Sequence, residues 1–235
     1  MSASLSVPDT LSSPGTFLPW AAERRLFWPP LVAATLVALL FAALAVPRAD
    51  FEGAAQDAIE RQADSAQMSP HEMETTLATA RRVGALGAYL GAALGTGLKA
   101  AAAALALWLG FKVVGGRPGL AGTFTVACWG LVPGAVELLL SIPALLARPQ
   151  LPPDEIGRLL PATLGVLLPQ GAKSPLASLL WSVDLFSIWA VVLVAIGMAA
   201  VAGVSRRRSL LTVAVLWMGY VSVFQVALPT FGGQH

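Results

Sequence analysis

The chain has 235 residues, of which 56% are hydrophobic and only 12% charged, with a formal net charge of +2. A soluble domain carries roughly 25% charged residues, so most soluble enzyme readings fall away, and basic residues that stand singly or in short groups beside apolar runs argue against nucleic acid as a partner. The single cysteine, Cys128, lies within an apolar run and excludes an intramolecular disulfide.

Residues 1–25 are rich in Ser and Pro at first and read as a flexible cytoplasmic tail ending in Glu23-Arg24-Arg25. Apolar runs follow at 26–46, 83–111, 119–147, 175–204 and 209–231. Each has about 20 residues or more, the length an α-helix needs to cross ~30 Å of hydrocarbon. The expected fold class is therefore all-α, a polytopic membrane protein with five transmembrane helices, spanning 26–231 and followed by a short tail at 232–235. Ala43-Leu44-Ala45 has the small-x-small form of a signal cleavage site, but the run before it is longer than a signal core and reads as a retained helix.

Residues 47–82 form an acidic loop, expected on the non-cytoplasmic side. Ser69-Pro70-His71-Glu72 is a helix start: an N-cap serine, a proline at the first helical position and a glutamate closing a capping box. The spacing predicts a helix from about 70 running into the second apolar run, and a short amphipathic helix over 51–62. Met68, His71 and Met73 offer soft metal donors, but three residues make a thin site and they read as ordinary surface positions. No metal and no cofactor is expected.

In the second run, Gly87, Gly91, Gly95, Lys99 and Ala103 recur every four residues. Such a small-residue face lets another helix approach closely, and it is expected to be a packing face that carries Lys99 into a helix interface. In the third run Trp129, Pro133, Glu137 and Ser141 share a face, and Pro133 should kink the helix because the carbonyl of Trp129 loses its usual donor. Lys99, Glu137 and Asp184 are the ionisable residues within apolar runs, where charge is costly and usually faces the bundle interior. They are expected to form a buried cluster with Lys99 paired to one of the acids. Its plainer role is to fix helix register; its sharper one is an ion or proton relay. A lone aspartate in the runs and the lack of a Ser/His combination there argue against an enzyme. Between the third and fourth runs, 159–168 is too short to span and is broken by Pro161, so it reads as a half-helix.

Lys and Arg near the helix ends set orientation. Raw counts balance, but the connections at 112–117 and 206–208 are short, basic and free of acids. The N-terminus is accordingly placed in the cytoplasm and the C-terminus outside.

The segment Gly119-Leu-Ala-Gly-Thr-Phe-Thr-Val-Ala-Cys-Trp-Gly-Leu-Val-Pro133, the segment Asp184-Leu-Phe186-Ser-Ile-Trp189 and the basic turn Arg206-Arg207-Arg208 together resemble the bacterial branch of the Yip1 domain family, over about residues 24–228. The resemblance implies five membrane helices with the N-terminus cytoplasmic and Asp184, Phe186 and Trp189 as a family-like motif. Eukaryotic members are associated with Rab GTPases. A Rab-type GTPase partner is not carried over, because this chain lacks the long cytoplasmic N-terminal domain and has Gly130-Leu131 where the eukaryotic pattern has Gly-Tyr. The function expected is non-enzymatic: a bacterial inner-membrane protein whose partners are the lipid bilayer and a membrane protein or a second copy of itself. The alternative is a small transporter or channel built on Lys99, Glu137 and Asp184.

Overall fold

The computed structural model describes residues 13–60, 69–157, 159–160 and 183–223. These are helical almost throughout: α1 (Pro14–Glu23), α2 (Trp28–Ala45), α3 (Phe51–Glu60), α4 (Pro70–Val113), α5 (Leu120–Trp129), α6 (Val132–Leu146), α7 (Pro153–Ile156), α8 (Leu185–Ala202) and α9 (Arg206–Val221). Among the described residues, four segments are long and apolar enough to cross a membrane: Trp28–Arg48, Pro70–Val113, Leu120–Leu146 and Leu185–Ala202. Helices suit this setting because lipid offers a backbone N–H or C=O no partner, and an α-helix satisfies both within itself. The fifth expected crossing is described only through α9, which covers the first part of 209–231. The start of the fourth run at 175–182, the half-helix beyond residue 160 and the tail at 232–235 lie outside the described residues.

The spans bury no more than 39% of their residues. Val32, Leu36 and Leu40 line one exposed stripe of α2, and Leu86, Leu90, Leu94 and Leu98 another on α4. In water such stripes would be association sites; against acyl chains they are an ordinary surface.

At ~1.5 Å per residue, the 44 residues of α4 reach about 66 Å, twice the hydrocarbon thickness. Its polar first turns therefore stand outside the bilayer. There Glu72 Oε2 accepts from the backbone N–H of Ser69 at 2.9 Å and from its hydroxyl at 2.8 Å, while the Glu72 N–H donates back to Ser69 Oγ at 3.3 Å. The backbone N–H first, then the hydroxyl, hold the Glu72 carboxyl below its ordinary range. A lowered carboxyl stabilises the cap above its unfolded pKa, and that help is lost as pH falls through the lowered value.

The described residues divide into two compact units. One draws on residues 13–34, 97–136 and 183–223. Its core joins Ala104, Leu107 and Phe111 of α4, Val126 and Ala127 of α5, Ala195, Met198 and Ala202 of α8, and Val213 of α9. A second cluster joins Phe17, Leu18 and Ala21 of α1 to Trp129 and Leu193. This corrects the expectation of a flexible tail through residue 25. In α1, Phe17, Leu18, Ala21 and Ala22 fall on one helical face and are buried, so an apolar stripe within a short segment that also holds Pro14, Gly15 and Pro19 supplies the anchor. The chain leaves α1 through Arg25, which adopts φ +55°. The Leu26 N–H reaches back to the Ala21 carbonyl at 2.9 Å and the Arg25 N–H to that of Ala22 at 3.2 Å, the Schellman ending usually given to glycine. Gly203, at φ +66°, ends α8 in the same way.

The other unit draws on the described residues of 35–96 and 137–161. Ala45, Leu145, Leu151 and Leu159 form its core, with Phe41, Leu44 and Ile156 against them. A single parallel bridge pairs Ala49 with Leu151, where the Asp50 N–H meets the Leu151 carbonyl at 2.9 Å and the Leu151 N–H meets that of Arg48 at 2.8 Å. The helix expected over 51–62 is α3. Its Phe51 ring occupies the space where a side chain at Gly84 would begin, so the missing Cβ at Gly84 lets α3 lie against α4.

Candidate functional site

Lys99, Glu137 and Asp184 are not a buried charge cluster. The buried polar residues among those described are Thr123, Thr125, Ser141 and Ser209. Lys99 is exposed, and among the described residues it forms no ion pair. The cause is helix rotation. The buried stripe of this part of α4 is Ala100, Ala104, Leu107 and Phe111, and Lys99 stands one residue, about 100°, off it. Glu137 is half-buried on α6, where its carbonyl accepts from Ser141 Oγ at 2.8 Å. Asp184 is half-buried, and its place is the N-cap of α8 rather than mid-helix. Its Oδ1 accepts from the Ser187 N–H at 2.7 Å and its Oδ2 from the Ser187 hydroxyl at 2.6 Å. An anionic N-cap also sits favourably at the positive end of the helix dipole. Without a buried cluster, the transporter reading is not favoured.

The other motif residues hold helices together. Phe186 is buried, and Trp189 packs beside Phe17, Trp129 and Leu193. The third apolar run breaks at Gly130–Leu131, directly before Pro133, which is fully buried in the first turn of α6. Gly87 and Gly91 are exposed, and a Cβ at Gly87, Gly91 or Gly95 would meet nothing within 4 Å among the described residues. His71 is exposed and Met73 half-buried; Met68 lies outside the described residues.

The tight helix seams lie elsewhere. A Cβ at Gly197 of α8 would stand 2.8 Å from Val126 of α5, and one at Gly110 of α4 would stand 2.7 Å from Leu216 of α9. Ser209, completely buried on α9, donates its hydroxyl to the Ala195 carbonyl of α8 at 2.6 Å. Trp129 Nε1 donates to the Leu26 carbonyl at 3.0 Å. Sequence reading passed over Ser209, Gly110 and Gly197, since one serine or glycine in an apolar run carries no periodic signal. The signal for Ser209 was its place four residues after the cap Ser205, one turn into α9.

Basic residues gather at the helix ends of this unit. The Arg117 N–H donates to the Ala202 carbonyl at 3.0 Å, joining the turn after α4 to the end of α8. Arg206 Nη2 lies 3.3 Å from where a Cβ on Gly15 would stand. Lys112 Nζ sits 3.7 Å from the centre of the Trp108 ring, and the Arg24 guanidinium 4.8 Å from that of Trp20. Basic and indole side chains together are the usual anchors at a membrane–water boundary.

Comparison with curated proteins yields no match, and neither does comparison with solved structures. The family model of the Yip1 domain matches residues 9–228, nearly the whole chain and all four described segments that are long and apolar enough to cross a membrane. Apolar helices fit to cross a bilayer, exposed leucine stripes and this match agree: the chain belongs to the Yip1 domain family and is a multi-pass membrane protein.

Proposed function

We propose that this protein acts without catalysis, in a bacterial inner membrane, by joining its helices to those of a membrane partner, of which a second copy of the chain is the simplest. The observation that carries the reading is the face of Gly87, Gly91 and Gly95 on α4. Its repeat is the one that brings transmembrane helices into backbone contact, and among the described residues nothing stands over it. Family membership supports a membrane role.

Gly91→Leu is the test. Self-association in vesicles and partner capture in mild detergent should both be compared with wild type. The expected result is loss of association with little change in the unfolding of the protomer, because a side chain at residue 91 meets no neighbour in its own unit. Ala93→Leu, off this face, should change neither. If association and capture are the same for Gly91→Leu as for wild type, the reading fails.

The same proposal places the N-terminus in the cytoplasm and the C-terminus outside, on the strength of the short basic turns at 112–117 and 206–208. A reporter inserted at Arg206–Arg208 should be active only on the cytoplasmic side, and one fused after His235 only on the other; the reverse pattern would overturn the orientation.

A further inference from the structure

Between the end of α4 and the first turns of α9 lies an open groove of about 710 Å³. Its walls are apolar: Val113 and Val114 on one side, Leu211 and Val215 on the other. Its polar end is formed by Arg207 and Arg208, both exposed, and among the described residues no acidic one lines it. The two parts lie in the order in which a membrane lipid presents itself. Val215 and Leu211 lie one to two turns into α9, while the arginines sit at its start. Gly110 and Leu216 close the floor of the groove, since a Cβ at Gly110 would stand 2.7 Å from the Leu216 side chain.

We propose that this groove is a binding site for one anionic phospholipid, with an acyl chain along Val113, Leu211 and Val215 and the phosphate between Arg207 and Arg208. Guanidinium groups bind phosphate oxygens through paired, charge-assisted hydrogen bonds, and two of them above an apolar trough with no competing carboxylate select a negative headgroup over a zwitterionic one. The size falls in the ~300–1,000 Å³ range of small-ligand sites. The assignment is independent of the helix-interaction reading and of the orientation.

The test is native mass spectrometry of the intact chain released from micelles containing equal phosphatidylglycerol and phosphatidylcholine. Wild type should retain phosphatidylglycerol in preference. Each basic residue at an anionic surface contributes about 5-fold in affinity, so Arg207→Ala with Arg208→Ala should lower retention by roughly 25-fold. The pair Arg207→Lys and Arg208→Lys guards against misfolding and should keep much of the preference. Arg81→Ala with Arg82→Ala removes the same charge from residues that do not line the groove and should change nothing. Val215→Trp, which fills the trough and spares both arginines, should also reduce retention. Equal retention of the two lipids by wild type would overturn the site. So would equal loss from both double-alanine variants, which would reduce the effect to net charge. An unaffected Val215→Trp would overturn the acyl seat.

Discussion

Gly197→Leu is expected to destabilise the protein by about 3 kcal/mol, the upper end for overpacking a well-filled interior. A Cβ at residue 197 would stand 2.8 Å from Val126 Cγ1, 2.9 Å from Val126 Cγ2 and 3.4 Å from Leu18 Cδ1. The first two separations are shorter than carbon atoms tolerate, and leucine adds three more carbons in the same direction. Val126 is itself 1% exposed and has no room to retreat. The substitution must therefore push α5 away from α8 and, through Leu18, disturb α1. The better helix propensity of leucine over glycine, worth ~1 kcal/mol at most, does not offset this. Denaturant unfolding in detergent gives the measurement, with Gly91→Leu as the comparison. A Gly197→Leu protein as stable as wild type, or one no weaker than Gly91→Leu, would show that the seam between α5 and α8 is loose.

That pair of glycines also shows how much of the molecule its sequence discloses. The helical class, the membrane-crossing runs and the family are legible because lipid demands long uninterrupted apolar helices, and composition records that demand directly. The start of α4 is written in four residues, Ser69 to Glu72, because capping is local chemistry. Helix rotation is not written in this way. The second apolar run is Ala- and Gly-rich on every side, so the regular stripe of Gly91, Gly95, Lys99 and Ala103 looked like a core face. The buried stripe, Ala100 to Phe111, lies one residue around the helix. Without a strong contrast between polar and apolar faces, nothing local selects the face that turns inward; packing against α8 and α9 decides it. Asp184 was misread for a related reason. In an apolar sequence a lone aspartate suggests a buried charge, but as a helix N-cap it needs no ionic partner at all, since the N–H and hydroxyl of Ser187 serve its carboxylate. The first helix was missed because Pro14, Gly15 and Pro19 suppress the helical signal, although proline is tolerated near a helix start.

Trp129→Ala is expected to cost about 3–5 kcal/mol, the usual range for removing a large buried aromatic side chain, and to release α1 specifically. Trp129 is 5% exposed. Its indole meets the Phe17 ring edge-on, with centroids 4.7 Å apart and planes at 82°, and its Nε1 holds the Leu26 carbonyl at 3.0 Å. One side chain on α5 thus secures both α1 and the chain just beyond it. Truncation leaves a cavity under Phe17 and an unpaired carbonyl at Leu26 together. Trp129→Phe separates the two effects: it keeps most of the aromatic packing and loses the hydrogen bond, for a cost nearer ~1 kcal/mol. Arg24 and Arg25 lie between the two contacts, so trypsin cleavage there reports the release of α1 while the remaining helices stay intact in detergent. Cleavage should be fast in Trp129→Ala, intermediate in Trp129→Phe and slow in wild type. Equal cleavage rates in all three would mean that α1 is held by its contacts with α8 alone, with Leu193 and Gly197 rather than Trp129 as its anchor.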